Sequence, residues 1–102
     1  KDAVANLVSI LAVPGIDAVF IGPSDLSASM GLLGQLSHPD VLTAIQTIRD
    51  ACLRADMPFA ILTGDAEQAR QEIQAGASFL AVGTDILHMA HSARATLEAV
   101  RA

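Results

Sequence analysis

Asp25, Asp65 and Asp85 each follow a predicted strand and a glycine: Val19-Phe-Ile-Gly22, Ile61-Leu-Thr-Gly64 and Leu80-Ala-Val-Gly83. A carboxylate beyond a buried strand faces the edge of the sheet where α/β proteins bind ligands. Two uses compete for such a group. It can cap the next helix by accepting a backbone N–H, or it can hold a hard cation. Asp65 and Asp85 are expected to cap. At Asp25 the preceding Ser24 can cap instead, which leaves the carboxylate free to face a pocket. Mg²⁺ takes oxygen ligands, often only one or two carboxylates, and water or substrate fills the other positions. The N–H groups of Ser24 and Asp25 are expected to be unpaired at the start of a helical turn, where they could receive a substrate carboxylate. Pro23 has no N–H to offer.

Other chemistries find less support. His38, His88 and His91 have no metal-ligand spacing and are expected in a loop (His38) or at exposed or core-rim positions of the last helix (His88, His91). Ser24, Ser27 and Ser29 lack a G-x-S-x-G turn and a nearby His–acid pair. Lys1 is the only lysine and lies on no strand, so these residues offer no Schiff-base nucleophile. That leaves a metal route for any aldol chemistry. Cys52, the single cysteine, falls on an apolar helix phase and is expected to be buried and inert.

Composition sets the frame for these groups. Of 102 residues 52% are hydrophobic and only 3% aromatic, so Ala, Val, Ile and Leu must build the core. The net charge of −5, with scattered basic residues, speaks against a nucleic-acid or membrane surface. No apolar run reaches the length of a transmembrane helix. The first residues contain neither a secretory apolar segment nor an initiator Met. A reducing cytoplasm is the expected location.

The hydrophobic spacing predicts helices and strands in alternation. Val4, Leu7, Val8 and Leu11 mark a helix already running at residue 1, ended by Pro14-Gly15. A strand is expected over 17–22, then a Ser- and Gly-rich loop with a short helical turn over 24–34. Ser37-His-Pro-Asp40 reads as a helix start with Ser37 as N-cap and Pro39 in the first turn. Val41, Leu42, Ile45, Ile48 and Cys52 give the buried stripe of that helix. A strand over 58–63 leads to a helix with Ala66, Ala69 and Ile73 on one face, which stops at Gly76. A third strand, 79–82, leads to a last helix bearing Ile86, Met89, Ala93, Leu97 and Val100.

Two eight-residue segments repeat. Gly15-Ile-Asp-Ala-Val-Phe-Ile-Gly22 and Gly76-Ala-Ser-Phe-Leu-Ala-Val-Gly83 share one pattern, a helix-stopping glycine, two residues, four apolar residues and a glycine. Each describes a helix returning to feed a buried parallel strand. The order is αβαβαβα. Three such strands would leave apolar edges open. The chain is therefore expected to be part of a larger α/β protein, the end of a (β/α)8 barrel, with a doubly wound sheet as the structural alternative. No G-x-G-x-x-G follows a strand, which disfavours dinucleotide binding.

The segment Gly15-Ile-Asp-Ala-Val-Phe-Ile-Gly-Pro-Ser-Asp-Leu-Ser-Ala-Ser-Met-Gly31 resembles the HpcH/HpaI aldolase family. The similarity continues through Ser37-His-Pro-Asp40, Ile61-Leu62 and Phe79-Leu-Ala-Val-Gly-Thr-Asp85. The resemblance implies a class II aldolase of TIM-barrel fold. Such an enzyme reversibly cleaves a 4-hydroxy-2-oxo acid to pyruvate and an aldehyde by way of a metal-stabilised enolate. It implies that Asp25 is one of two acidic ligands to a divalent cation, Mg²⁺, Mn²⁺ or Co²⁺. It further implies that the amides of Ser24 and Asp25 hold the pyruvate carboxylate and that Leu62 lines the pocket. The family's second acidic ligand, a Glu, and its catalytic Arg and His would fall upstream of Lys1. By this resemblance, residues 1–102 form one segment of a single barrel domain, strands six to eight with their helices. No catalytic residue lies in it, and alone it is expected to be inactive. The resemblance also implies a homo-oligomer in which the last helix is exchanged between barrels.

Two alternatives stay open at this point. One is an acyl-CoA-ester lyase of the same superfamily, of malyl-CoA or citramalyl-CoA type. The other is a non-catalytic module that assembles through its open sheet edge and apolar last helix.

Overall fold

The computed structural model describes residues 1–102; the expected alternation of helices and strands holds, with the first helix split in two and a further helix after the first strand. Two short helices, α1 (Asp2–Ala5) and α2 (Leu7–Leu11), precede β1 (Val19–Ile21) and α3 (Pro23–Ser29). They are followed by α4 (Pro39–Arg54), β2 (Phe59–Thr63), α5 (Ala66–Gln74), β3 (Phe79–Val82) and α6 (Asp85–Arg101). The strands pair in parallel in the order β1-β2-β3, with Val19 opposite Phe59 and Ala60 opposite Phe79. Consecutive order fits a barrel, and it equally fits half of a doubly wound sheet.

The repeat is visible in the backbone. Gly15 and Gly76 adopt nearly the same left-handed conformation, φ +94° and +96°, which side chains other than glycine's resist. At Gly76 the amide reaches Ile73 O and the next amide reaches Glu72 O, so α5 ends in a paired C-terminal turn that feeds β3.

Alternation along the strands sorts the side chains into two faces. Ile21, Phe59 and Ile61 point to the helix layer, where they pack with Leu7, Val41, Ile45, Ile48, Ala51 and Cys52. Phe59, Val41 and Cys52 are the most deeply buried large side chains, so α4 on β2 is the centre of the core. Burial without a polar partner pushes the Cys52 thiol up from its ordinary pKa. The register places Phe20, Ala60, Leu62, Phe79 and Ala81 on the opposite face, which no helix of the chain covers.

Several expectations need correction. The first helix is broken at Asn6, whose backbone leaves the helical region (φ −103°, ψ 11°) and whose amide group bonds back to Asp2 O. Val8 is 76% exposed. The first strand is shorter than 17–22. The N-cap of α4 is His38, not Ser37: His38 Nδ1 accepts the Asp40 N–H at 3.1 Å. An imidazole that reaches two residues on does the work expected of a serine hydroxyl, so His38 is a helix cap and not a plain loop residue. Leu42 and Ile73 are exposed. Each lies one position past a buried residue, Val41 on α4 and Glu72 on α5.

Candidate active site

The carboxyl ends of the strands gather the three aspartates, and they differ in what holds them. Asp65 caps α5, with Oδ1 accepting the Gln68 N–H at 2.9 Å. Asp85 lies one residue inside α6. The cap there is Thr84, whose hydroxyl accepts the Leu87 N–H at 3.2 Å, while Asp85 Oδ1 accepts the Ile86 N–H at 2.8 Å. Two of the three carboxylates are therefore occupied by backbone amides, Asp65 as the expected cap and Asp85 as a neighbour of one.

Asp25 is the exception. Ser24 is not the cap of α3. The N-cap is Gly22, which has no side chain to give, Pro23 fills the first helical position, and Ser24 and Asp25 come second and third. The helix thus starts without any side-chain cap. Asp25 is left free as expected, but by the Gly-Pro pair and not by Ser24. Its carboxylate makes no hydrogen bond or ion pair within the chain and is exposed. It folds back over the strand end, where a β carbon at position 22 would lie 3.4 Å from Asp25 Oδ2. Glycine at 22 keeps that space open.

The first amide of this turn with a backbone acceptor is Leu26 N–H, bonded to Gly22 O at 2.9 Å. The amides of Ser24 and Asp25 have none, as a helix start requires. Below them Ser27 is fully buried, and its hydroxyl donates to Ser24 O at 2.9 Å, which pins the turn to the core.

A cavity of about 440 Å³ opens at this edge, over the end of β2 and between α4, α5 and the start of α3. Ser24 and Leu62 both line it, with Ser37, Thr63, Gln68 and Arg49. Two of the expected site residues therefore share one space. Asp25 is adjacent to it through Ser24 and does not line it. No three His, Cys, Asp or Glu side chains converge anywhere in the chain. One unpartnered, exposed carboxylate beside unfilled amides fits a hard cation that takes one or two protein carboxylates. His88, placed at an exposed or core-rim position by the sequence, points its Nε2 at Val82 O, 3.2 Å away, and closes the end of β3.

Comparison with known proteins decides between the barrel and the doubly wound sheet. The model of the HpcH/HpaI aldolase/citrate lyase family matches residues 1–92. The chain belongs to that family. It is 42% identical over 95 residues to a hydroxypyruvate/pyruvate aldolase of Agrobacterium fabrum, covering 93% of this chain and 36% of that protein. It is 43% identical over 86 residues to a 5-keto-4-deoxy-D-glucarate aldolase of Escherichia coli, covering 84% and 34%. The chain thus spans about a third of the length of the curated relatives it matches. Among solved structures, an HpcH/HpaI aldolase/citrate lyase family protein of Burkholderia cenocepacia superposes with a TM-score of 0.87 at 38% identity. That match covers 97% of this chain and 38% of that one. The three β/α units are part of a TIM barrel, and the doubly wound alternative falls.

Sequence reasoning missed the Arg49–Glu72 ion pair between α4 and α5. A signal was present. Arg49 follows Ile45 by four residues on the buried stripe of α4, and Glu72 follows Ala69 by three on that of α5. Opposite charges at buried phases of neighbouring helices call for each other.

Proposed function

We propose that the protein carrying this chain is a class II aldolase that reversibly cleaves a 4-hydroxy-2-oxo acid to pyruvate and an aldehyde. The observation that carries the reading is Asp25, an unpartnered carboxylate at the tip of β1 beside two amides without acceptors. Family membership and relatives named for pyruvate and keto-acid aldolase activity support it.

In this reading Asp25 holds a divalent cation, Mg²⁺, Mn²⁺ or Co²⁺, together with an acidic residue from outside residues 1–102. When bound, the cation supplies Lewis-acid polarisation of the keto group. The chain's own residues bind and orient. The Ser24 and Asp25 amides receive the pyruvate carboxylate at the positive end of a helical turn, and Leu62 gives the keto acid an apolar wall. No residue of the chain is assigned as proton-transfer catalyst, so the segment alone is inactive. It is one portion of a single barrel domain, strands six to eight. The open face with Phe20, Ala60 and Phe79 then becomes barrel interior.

α6 buries none of its residues, and Ile86, Met89, Leu97 and Val100 are all exposed. We assign that stripe to contact with a second subunit, with small Ala90 and Ala93 allowing close approach. The chemistry is tested with the whole protein: pyruvate release from a 4-hydroxy-2-oxo acid is expected with divalent metal and lost with chelator. Cleavage of malyl-CoA in place of the free keto acid would overturn the assignment.

A further inference from the structure

Arg49 and Glu72 meet between α4 and α5. Arg49 Nη2 donates to Glu72 Oε1, and the side chains keep only 18% and 12% of their exposure. Arg49 Nε and Glu72 Oε2 are also buried and have no hydrogen-bond partner. The contact is thus single, through Nη2 and Oε1, and leaves one buried donor and one buried acceptor unpaired. The pair ties α4 to α5 with both charges out of water. Breaking one partner of such a pair is costly, and its net gain over an apolar pair is small. What the pair contributes is the arrangement it fixes.

One turn along α5 lies a second polar link. Gln68 precedes Glu72 by four residues, on the same face of the helix. Gln68 Oε1 accepts the Gly64 N–H at 2.9 Å, while Asp65 holds the Gln68 amide. Gly64 follows β2 directly, two residues past Leu62. On the opposite side α3 packs against α4 and begins Pro23-Ser24-Asp25. A polar line thus runs from Arg49 through Glu72 and Gln68 to Gly64, along the cavity that Ser24 and Leu62 share.

We propose that the Arg49–Glu72 pair and Gln68 are positioning residues that set the separation between the β1 tip, with Ser24 and Asp25, and the β2 tip, with Leu62. The role in catalysis rests on the keto-acid reading above. The residues act through the backbone: the pair holds α5 at the distance from α4 at which Gln68 can fasten Gly64. None is assigned contact with substrate.

The test uses the whole protein and two readings, amide exchange at Gly64 and steady-state kinetics with pyruvate. Gln68→Ala should raise Gly64 exchange by about fivefold or more, the worth of one net hydrogen bond. Glu72→Leu should raise it too, although Gln68 is untouched. The exchanged pair R49E/E72R should restore protection. KM for pyruvate should rise several-fold in Gln68→Ala and Glu72→Leu while kcat changes less, and should return in R49E/E72R. Should Glu72→Leu fail to fold, Gln68→Ala and R49E/E72R carry the same two readings. Unchanged Gly64 exchange in folded Glu72→Leu would overturn the link between pair and tip. A loss of stability with KM unchanged would reduce the residues to a structural role. If the wild-type protein turns over no keto acid, the functional reading falls, and Gly64 exchange still decides the link.

Discussion

Phe20 and Phe79 stand on the two outer strands with ring centroids 6.2 Å apart and planes tilted by 46°. Between them on the middle strand lies Ala60, opposite both in the register and fully buried. The rings meet over the methyl group, in the tilted geometry aromatic pairs favour. They remain 52% and 48% exposed on their outer sides. The middle position has to be small because the flanking ones are large.

Ala60→Leu should therefore destabilise the fold by about 1–3 kcal/mol, the usual penalty for extra methylenes in a packed site. Denaturant unfolding of wild type and variant measures it. A variant as stable as wild type would show that the two rings part freely and that the face is not tightly packed.

Cys52 gives a pH dependence with a definite sign. Burial raises its pKa in the folded chain by disfavouring the thiolate. Below the unfolded thiol's pKa, about 8.5, both states are neutral and the group has no effect. Above it the unfolded chain ionises and the folded chain does not, so stability falls as pH rises from about 8.5 through the raised folded value. Unfolding free energies of wild type and Cys52→Ala between pH 7 and 10 should diverge in slope, with the wild type steeper. Parallel curves would contradict burial of the thiol. The same burial predicts slow reaction of Cys52 with thiol reagents until the protein unfolds.

The stripe on α6 should be an interface. Leu97→Asp is expected to lower the oligomer's mass in light scattering or make it dissociate at higher concentration, because an unpaired carboxylate would enter an apolar contact. An oligomer of unchanged mass and stability would place the interface elsewhere.

The sequence was readable where one residue type has one physical use. Gly15 and Gly76 marked the left-handed turns that feed β1 and β3, and the apolar phase of α4 placed Cys52 inside. It was less readable where several groups can do one job. Ser37 and His38 can both cap α4, and only the backbone geometry decides for the imidazole. At α3 the Gly-Pro start removes the need for a side-chain cap, so Asp25 is free for a reason other than the one its neighbour Ser24 offered. Arg49 and Glu72 are 23 residues apart; their helix phases mark each as a buried charge, and only the packing of α4 beside α5 makes them a pair. Leu62 and Ser24 likewise share a cavity only because β1 and β2 are neighbours in the sheet.

The most direct test of the central claim is Asp25→Ala in the whole protein. Pyruvate release from a 4-hydroxy-2-oxo acid and divalent-metal affinity by titration calorimetry are both to be measured against wild type. Asp25 is exposed and bonded to nothing in the chain, so the variant should keep its fold and thermal midpoint. Activity should be abolished and the affinity for Mg²⁺, Mn²⁺ or Co²⁺ sharply reduced. A folded Asp25→Ala protein with wild-type metal affinity and pyruvate release would contradict the account.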